Sequence, residues 1–409
     1  MSVDVIVIND FAETNGGAAQ VALASAFGLA ASGHRVTLFS AVPPMGVVPT
    51  HPNLRLVVTG QHEIATDPSR LRAMVQGMWN SKARRMLRLT LQDFDPKNTI
   101  VHLHGWSKAL SSSVVRECVE SSFRVVCTLH DYFVACPNGG FYNFRTQKIC
   151  HLRALSVPCI LENCDSRSYA QKVWRVVRQI VQRQFGGIPG GISAFIAVSN
   201  FSGAVLQSYL PPGCRLFEIP NPVISAKDAP ARIEQASPFL YVGRLAPEKG
   251  GVLLACASAE LDCGLVYVGD GMSRSDIQRH NEKARFTGWL PRSEALNWLR
   301  RARALVLPSL WYETQGLVVL EAAALGVPAI VPDTSAARDL VNDGHSGLWF
   351  KGGDAESLRA AMRRLMVTQV AQDMGRAAYE HYWQDAPTID RHISKLERAY
   401  LEILEGAAA

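Results

Sequence analysis

The chain has 409 residues, 48% of them hydrophobic, and a formal net charge of +6. Its length exceeds one ordinary hydrophobic core and predicts two domains of about 150–200 residues each, and its composition excludes a disordered chain. The charge is too small to predict a nucleic-acid partner, although it is compatible with an anionic ligand or an anionic membrane surface.

The first residues, Met1–Ile8, lack the basic leader of a secretory signal and predict a strand. No apolar run approaches the ~18–20 residues that span a bilayer. We therefore expect a cytoplasmic protein that binds at most peripherally to the inner face of the cell membrane.

Short Val-, Ile- and Leu-rich runs alternate with helical patterns along the first half of the chain. A helix candidate, Ala18–Ala31, follows the first run. Alternation of this kind is typical of parallel sheets with crossover helices. The strand candidates are Val5–Ile8, Arg35–Phe39, Leu54–Val58, Ile100–Leu103, Val125–Leu129 and Phe195–Val198.

A looser segment, Pro220–Pro238, interrupts the alternation and predicts a connector between domains. The alternation then resumes, and the amphipathic segment Thr388–Glu405 predicts a final helix. We therefore predict an α/β protein with two Rossmann-like, doubly wound parallel-sheet domains, residues 1–220 and 221–387, and a terminal helix in residues 388–409. The later strand candidates are Phe239–Val242, Leu265–Val268, Phe286–Thr287, Ala304–Leu307, Ala329–Val331 and Leu348–Phe350.

A histidine, His130, stands at the end of the predicted strand Val125–Leu129. A single histidine in this position is more often structural than catalytic. Its neighbour Asp131 could orient it. His102 and His104, on the preceding strand, are expected to pack or to form supporting hydrogen bonds.

Four cysteines, Cys136, Cys150, Cys159 and Cys164, follow in one segment. Such a group could form a tetrahedral thiolate zinc site, although the spacing lacks the paired C-x2-C pattern that makes this prediction strong. Buried free thiols and a redox-labile pair are the alternatives.

Two stretches, Arg70–Leu89 and Lys172–Arg183, interleave basic residues with Trp and aliphatic residues. Cationic helices of this kind can lie on an anionic bilayer. The alternative, which is the commoner outcome for any single stretch, is a solvated helix that packs its apolar face on the sheet.

Glycines and cations lie at the ends of predicted strands in both halves. Gly16 and Gly17 open the first helix, where glycine permits close backbone approach to a ligand, although an ordinary loop is the default explanation. In the second half a strand ends at Gly243, and Arg244 and Lys249 flank the following turn. An Arg fork and a Lys point charge together suit a diphosphate.

A second loop of this half, Ser309–Leu317, follows a predicted strand and opens a helical run. The N–H groups and dipole at such a helix start favour phosphate. Glu313 in the loop and Glu321 on the helix could accept hydrogen bonds from sugar and ribose hydroxyls. Two solvated glutamates beside a capped helix are the alternative.

These motifs together resemble glycosyltransferase family four, a retaining family with the GT-B architecture, in which two Rossmann-like domains face a cleft. The resemblance covers nearly the whole chain and is most specific in residues 239–350. This chain departs from the family at Thr314-Gln315, where Gly or Pro and then Phe are frequent. The matching motifs are Gly243-Arg244-Leu245, Glu248-Lys249-Gly250, Val268-Gly269-Asp270-Gly271, the E-x7-E pair Glu313 and Glu321, and Ala324–Pro328.

The resemblance implies roles for residues of both domains. Arg244 and Lys249 would hold the donor diphosphate and neutralise its charge as it leaves, so that catalysis requires no metal or other cofactor. Glu313 and His130 would contact the transferred sugar, and Glu321 would bind ribose. The implied donor set is Gly16, Gly17, Gly243, Arg244, Lys249, Glu313, Glu321 and the amides of Gln315, Gly316 and Leu317.

The implied activity is transfer of a hexose-type sugar from a UDP- or GDP-linked donor to a glycan or lipid-linked acceptor, in synthesis of a bacterial surface polysaccharide or lipopolysaccharide. The resemblance also implies that residues 1–220 bind the acceptor, that residues 221–387 bind the nucleotide sugar, and that the terminal helix packs back on the first domain. Both basic stretches fall in the acceptor-binding domain and so predict weak binding to an anionic membrane. A nucleotide-sugar epimerase or hydrolase of the same architecture is one alternative. A non-catalytic subunit that binds sugar nucleotides is another.

Overall fold

The computed structural model describes residues 2–46, 50–223, 227–236 and 238–406. Residues 224–226 and 237 of the predicted connector therefore lie outside the described residues, as do residues 1 and 47–49 of the first predicted domain and residues 407–409 of the predicted terminal helix. Within the described ranges the chain forms two parallel sheets with helices between the strands, which confirms the predicted α/β fold class.

The central strands of the first sheet are buried on both faces. The strands of this half are β1 (Asp4–Phe11), β2 (Arg35–Val42), β3 (Leu54–Val58), β4 (Thr99–Leu103), β5 (Arg124–Leu129), β6 (Tyr142–Asn143), β7 (Lys148–Ile149), β8 (Ala194–Ala197) and β9 (Arg215–Glu218). The sheet order is β3-β2-β1-β4-β5-β8-β9, and β6 pairs with β7 in a separate hairpin. Ile6 and Ile8 pack on one side of β1 and Val5 and Val7 on the other. Burial of both faces explains the continuous apolar runs of the sequence.

The helices of this half connect those strands. They are α1 (Gly17–Ala31), α2 (Arg70–Met78), α3 (Ser81–Leu91), α4 (Ser113–Glu120), α5 (Val157–Leu161), α6 (Tyr169–Gln184) and α7 (Asn200–Leu206). The strand β9 was not predicted. It lies at the edge of the sheet and is mostly exposed, so it lacks the apolar run that marks the other strands.

The second half repeats the architecture with a smaller sheet, in the order β12-β11-β10-β13-β14-β15. Its strands are β10 (Phe239–Val242), β11 (Leu265–Val268), β12 (Arg285–Gly288), β13 (Ala304–Val306), β14 (Ala329–Pro332) and β15 (Gly347–Phe350). Its helices are α8 (Gly251–Ser258), α9 (Arg274–His280), α10 (Arg292–Arg300), α11 (Leu317–Ala324), α12 (Ala355–Met366) and α13 (Thr368–Gln384), and α14 (Ile389–Glu405) follows them.

The final helix, α14, packs on the first half of the chain. Ile393 fills the space beside Gly28 of α1, where an added Cβ would meet its side chain at 2.7 Å. His392 bonds to Ser25 at 2.9 Å, and Leu396 and Tyr400 join the core beneath the first sheet. The last helix therefore contributes to the hydrophobic core on one face of the first sheet.

The two basic stretches differ from their predicted form. Arg70–Leu89 is not one helix, because Trp79 is extended and Asn80 caps α3 by accepting from the Ala83 amide. In α6, Lys172 turns inward, while Val173, Val177 and Ile180 are 42–43% exposed. The outward face of α6 is therefore more apolar than cationic. No helix among the described residues has the length and apolar character needed to cross a membrane.

Candidate functional site

A partly buried ion pair joins two loops of the second sheet. The Lys249 Nζ lies 2.8 Å from Glu313 Oε1, and Ser309 Oγ and Trp311 Nε1 donate to the same oxygen at 2.6 and 2.9 Å. Lys249 follows β10 and Glu313 follows β13, and these strands are parallel neighbours. Their carboxyl ends meet at one edge of the sheet, where α/β proteins bind ligands.

The Glu313 carboxylate is held in its ionised form. Burial acts to raise its pKa, but the Lys249 ammonium and the donated hydrogen bonds outweigh burial, so the pKa lies below the ordinary value of 4.5. No donor from the described part of the chain reaches Oε2. The second oxygen of a charged carboxylate is therefore free to accept a hydrogen bond from a ligand.

Arg244 lies near this pair but is much more exposed. Its Nη2 donates to Glu248 Oε1 at 2.8 Å, and its guanidinium side chain is 62% exposed. The Tyr241 hydroxyl donates to the Arg244 carbonyl at 2.7 Å and fixes the backbone after Gly243. Because guanidinium carries five N–H donors, the bond to Glu248 leaves others available for an anion.

The helix α11 begins beside the ion pair. Gly316 precedes it in the left-handed conformation, with φ of 88°, which favours glycine. The Gln315 side chain is directed to the connector, because its Oε1 accepts a hydrogen bond from the backbone N–H of Asn221 at 3.1 Å. A Cβ on Gly17 would lie 3.4 Å from Leu317 Cδ1, so the start of α1 faces the start of α11. The predicted glycine loop and the predicted phosphate loop thus lie against each other.

Glu321, on the next turn of α11, has a partner that sequence analysis did not identify. Arg292 Nε and Nη2 lie 2.9 and 2.8 Å from Glu321 Oε1. Both belong to the second domain, and Glu321 is largely buried. Arg292 precedes Glu321 by 29 residues, so only the fold brings them together.

His130 belongs to the first half of the chain and follows the end of β5. Its Nε2 contacts His104 Nδ1 at 2.8 Å, and its carbonyl accepts from Thr314 Oγ1 at 3.1 Å. Asp131 was expected to orient His130, but its carboxylate accepts from the Phe133 amide. Burial raises the pKa of Asp131 to about 6. His104, not Asp131, is the residue that holds the His130 ring.

A buried lysine of α6 lies against the cysteine segment. Lys172 is 1% exposed, and its Nζ lies 3.2 Å from Cys164 Sγ and 3.8 Å from Cys159 Sγ. Among the described residues no group of three or more His, Cys, Asp or Glu side chains is arranged to hold a metal ion. The structure therefore gives no support to the predicted zinc site of Cys136, Cys150, Cys159 and Cys164.

A cavity of about 800 Å³ lies beside the Lys249–Glu313 pair, and neither of these two residues lines it. Its lining includes Lys148 of the β6–β7 hairpin and Pro247, Gly250 and Leu310 of the second domain. The hairpin region approaches the site through Gly140, where an added Cβ would lie 3.0 Å from the Trp311 ring. The cavity is therefore adjacent to the ion pair, on the side of the hairpin.

Comparison with known proteins places the chain in a family. The family model described as Glycosyltransferase Family 4 matches residues 15–227, and the model described as Glycosyl transferases group 1 matches residues 237–367. The glycogen synthase of Mycobacterium tuberculosis is 26% identical over 382 residues, which cover 87% of this chain and 84% of that protein. A GDP-mannose-dependent alpha-mannosyltransferase of Mycolicibacterium smegmatis is 43% identical over 132 residues, or 32% of this chain and 34% of that protein.

Solved structures show the same fold at lower identity. Sucrose-phosphate synthase from Thermosynechococcus elongatus matches with a TM-score of 0.73 at 20% identity and covers 100% of both chains. Anabaena HepE in complex with UDP matches with a TM-score of 0.62 at 14% identity, over 98% of this chain and 100% of that one. These likenesses confirm the predicted GT-B fold.

Proposed function

The chain belongs to glycosyltransferase family 4, and we propose that it moves a hexose-type sugar from a UDP- or GDP-linked donor to a glycan or lipid-linked acceptor of a bacterial surface polysaccharide, with retention of configuration. The observation that carries the proposal is the partly buried Lys249–Glu313 pair beside the start of α11. It combines a cation for phosphate, free helix amides, and a charged carboxylate with one open oxygen for a sugar hydroxyl.

In the proposed reaction the bond from sugar C1 to the diphosphate oxygen breaks, and a bond from C1 to the acceptor oxygen forms on the same face. The acceptor proton passes to the departing diphosphate. Lys249 has three N–H donors and gives one to Glu313, so two remain for phosphate oxygens. Arg244 adds a second positive charge, and these charges stabilise the leaving group electrostatically, without a metal.

The other predicted residues take places around this centre. Glu321 binds the ribose, with Arg292 holding its carboxylate in position. Gly17 faces Leu317 across the cleft, so the α1 and α11 starts border the diphosphate from both domains. His130 contacts the transferred sugar from the first domain. The cleft closes on the donor by a hinge motion about the connector.

The acceptor reaches the site from a membrane surface in this proposal. The outward residues of α2, Leu71, Met74 and Val75, are 51–74% exposed, and the neighbouring α6 presents Val173, Val177 and Ile180. Gly77 of α2 lies against Trp174 of α6, so the two apolar faces adjoin. Neither helix contains an acidic residue, and Arg70 and Arg183 are exposed at their ends. Apolar contact flanked by positive charge suits an anionic lipid surface.

Two measurements test the transferase proposal. Thermal stabilisation by a panel of UDP- and GDP-sugars identifies the donor, and release of free nucleoside diphosphate is then followed with and without candidate lipid-linked acceptors. Release only in the presence of acceptor supports transfer. Release without acceptor indicates a hydrolase, and binding without turnover in any mixture indicates a non-catalytic subunit.

Co-sedimentation with liposomes tests the membrane surface. The chain should bind vesicles that contain anionic lipid more strongly than neutral vesicles, and Val177→Glu should weaken this binding. Val367→Glu makes the same change at a 55% exposed valine of the second domain and serves as the control. Equal binding to both vesicle types, or equal loss in both variants, contradicts the assignment.

A further inference from the structure

Three histidines form a chain of contacts from the cleft into the first domain. His130 Nε2 lies 2.8 Å from His104 Nδ1, and His104 Nε2 lies 3.3 Å from His102 Nδ1. The Tyr400 hydroxyl of α14 lies 2.6 Å from the same His102 Nδ1. On the other side of that ring, His102 Nε2 lies 2.7 Å from Thr128 Oγ1. This series of contacts, called the histidine chain below, thus ends at Tyr400 on the last helix of the protein.

The three rings of the histidine chain are neutral. Burial lowers the pKa of His130 to about 3 and holds the pKa values of His102 and His104 well below 6.5. Neighbouring histidines lower them further. A neutral imidazole has one N–H and one lone pair, so fixing one nitrogen of a ring fixes the other.

The contacts on His102 decide which of its nitrogens carries the proton. Tyr400 and His104 both approach Nδ1. If Nδ1 is bare, Tyr400 O–H and His104 Nε2–H donate to it and Nε2–H donates to Thr128, so each contact has its own hydrogen. If Nδ1 is protonated, a single hydrogen serves two contacts. A phenol is also a stronger donor than the rotatable Thr128 hydroxyl, and no second partner for the Tyr400 hydroxyl exists among the described residues.

The remaining rings follow in order. His104 carries its proton on Nε2, so its Nδ1 is an acceptor. His130 must then donate from Nε2 to His104 Nδ1, which leaves His130 Nδ1 without a hydrogen. None of the described residues donates to that atom.

We propose that Tyr400, acting through His102 and His104, fixes His130 in the tautomer that has Nε2 protonated, so that Nδ1 accepts a hydrogen bond from a hydroxyl of the bound sugar. This inference rests on the proposed function, because it takes His130 as the residue that contacts the sugar. Tyr400, His102 and His104 are then positioning residues, and α14 contributes to sugar binding although it lies behind the sheet.

Nitrogen NMR of the full chain with 15N-labelled histidine reads the tautomer directly. In the wild type, His130 should show a protonated Nε2 and a bare Nδ1, with its signals assigned by their loss in His130→Asn. Tyr400→Phe should shift these signals toward an average of both tautomers. Tyr142→Phe is the matched control, because it also removes one buried hydroxyl, which has no hydrogen-bond partner among the described residues. A wild-type His130 protonated on Nδ1 overturns the proposal.

Binding measurements distinguish a positioning role of Tyr400 from a general structural role. With UDP and UDP-glucose, or GDP and GDP-mannose if that pair binds the wild type, Tyr400→Phe should weaken the sugar nucleotide about 3- to 10-fold and leave the plain diphosphate unchanged, as expected for one hydrogen bond. Equal weakening of both, or an effect equal to that of Tyr142→Phe, overturns the proposal. His104→Gln breaks the same chain and replaces Tyr400→Phe if the latter does not fold.

The outcomes also distinguish this inference from the proposed function. If the wild type transfers no sugar but shows the stated tautomer and the stated binding difference, the histidine chain stands and the transferase proposal fails. If transfer occurs and the tautomer is unaffected by Tyr400→Phe, the transferase proposal stands and the histidine chain fails.

Discussion

Replacement of Glu313 by glutamine removes a charge and nearly preserves shape. The glutamine oxygen can still accept from Lys249, Ser309 and Trp311. However, the bonds from Ser309 and Trp311 change from charge-assisted bonds of about 1.5–3 kcal/mol to neutral bonds of about 0.5–1.5 kcal/mol, and the Lys249 ammonium loses its charged acceptor. We expect the free energy of unfolding to fall by about 1–2 kcal/mol and the Tm by about 2–8 °C.

The effect on transfer should be larger than this loss of stability suggests. If Oε2 accepts a hydrogen bond from the transferred sugar, loss of about 1.5–3 kcal/mol lowers kcat/KM by about 10- to 160-fold. Steady-state kinetics and single-turnover measurements with bound donor separate affinity from reaction. Glu117→Gln is the matched control, because Glu117 is a carboxylate of the first domain that also bonds to cations, Arg84 and Arg88.

A specific result would refute the role of Glu313. If the variant binds the nucleotide more weakly but turns over bound donor at the wild-type rate, Glu313 acts on the nucleotide and not on the sugar. If Glu117→Gln loses as much activity as Glu313→Gln, the loss reflects stability alone.

Three further predictions concern the same region. Glu321→Gln should raise the donor KM about 10-fold, as expected for one lost charge-assisted bond, with kcat nearly unchanged in steady-state assays, and a matching fall in kcat would place Glu321 at the reacting sugar. Gly250→Ala should unfold in less urea than Gly213→Ala. Both have φ near 70°, but only at Gly250 would the Cβ meet the Pro308 carbonyl, at 1.9 Å, and equal losses would exclude that clash. Because the folded pKa of Glu313 lies below 4.5, its charge stabilises the fold above that pH and this contribution is lost as the pH falls further. The Tm gap between wild type and Glu313→Gln should therefore close in acid, and a gap that widens contradicts the sign.

The central strands could be predicted to within a few residues, because burial on both faces leaves a continuous apolar run in the sequence. The break inside Arg70–Leu89 could not. Tertiary hydrogen bonds hold Asn80 there. Its backbone N–H donates to Ser111 Oγ at 2.9 Å, and its side-chain Nδ2 donates to the Ala109 carbonyl at 2.8 Å. Those partners lie about 30 residues away and leave no local signal.

The same division holds at the site. Residues that share a loop, such as Ser309 and Glu313, could be grouped from the sequence because a strand–loop–helix unit places them together. Partners supplied by distant segments could not be identified from the sequence. Arg292, which pairs with Glu321, is one of them. Lys172 shows the largest difference from the prediction, because a residue counted among the charges of a basic amphipathic stretch is buried against the cysteine thiols.

The departure from the family pattern at Thr314 and Gln315 has a structural consequence. The Thr314 hydroxyl donates to the His130 carbonyl, and the Thr314 carbonyl accepts from Ser199 Oγ at 2.6 Å. Gln315 accepts from the Asn221 amide at the edge of the connector. The loop that carries Glu313 is therefore also a contact between the two domains. Because the same loop serves both purposes, a change at Thr314 should alter domain closure and transfer together, whereas Glu313→Gln should alter transfer with the closed contact kept.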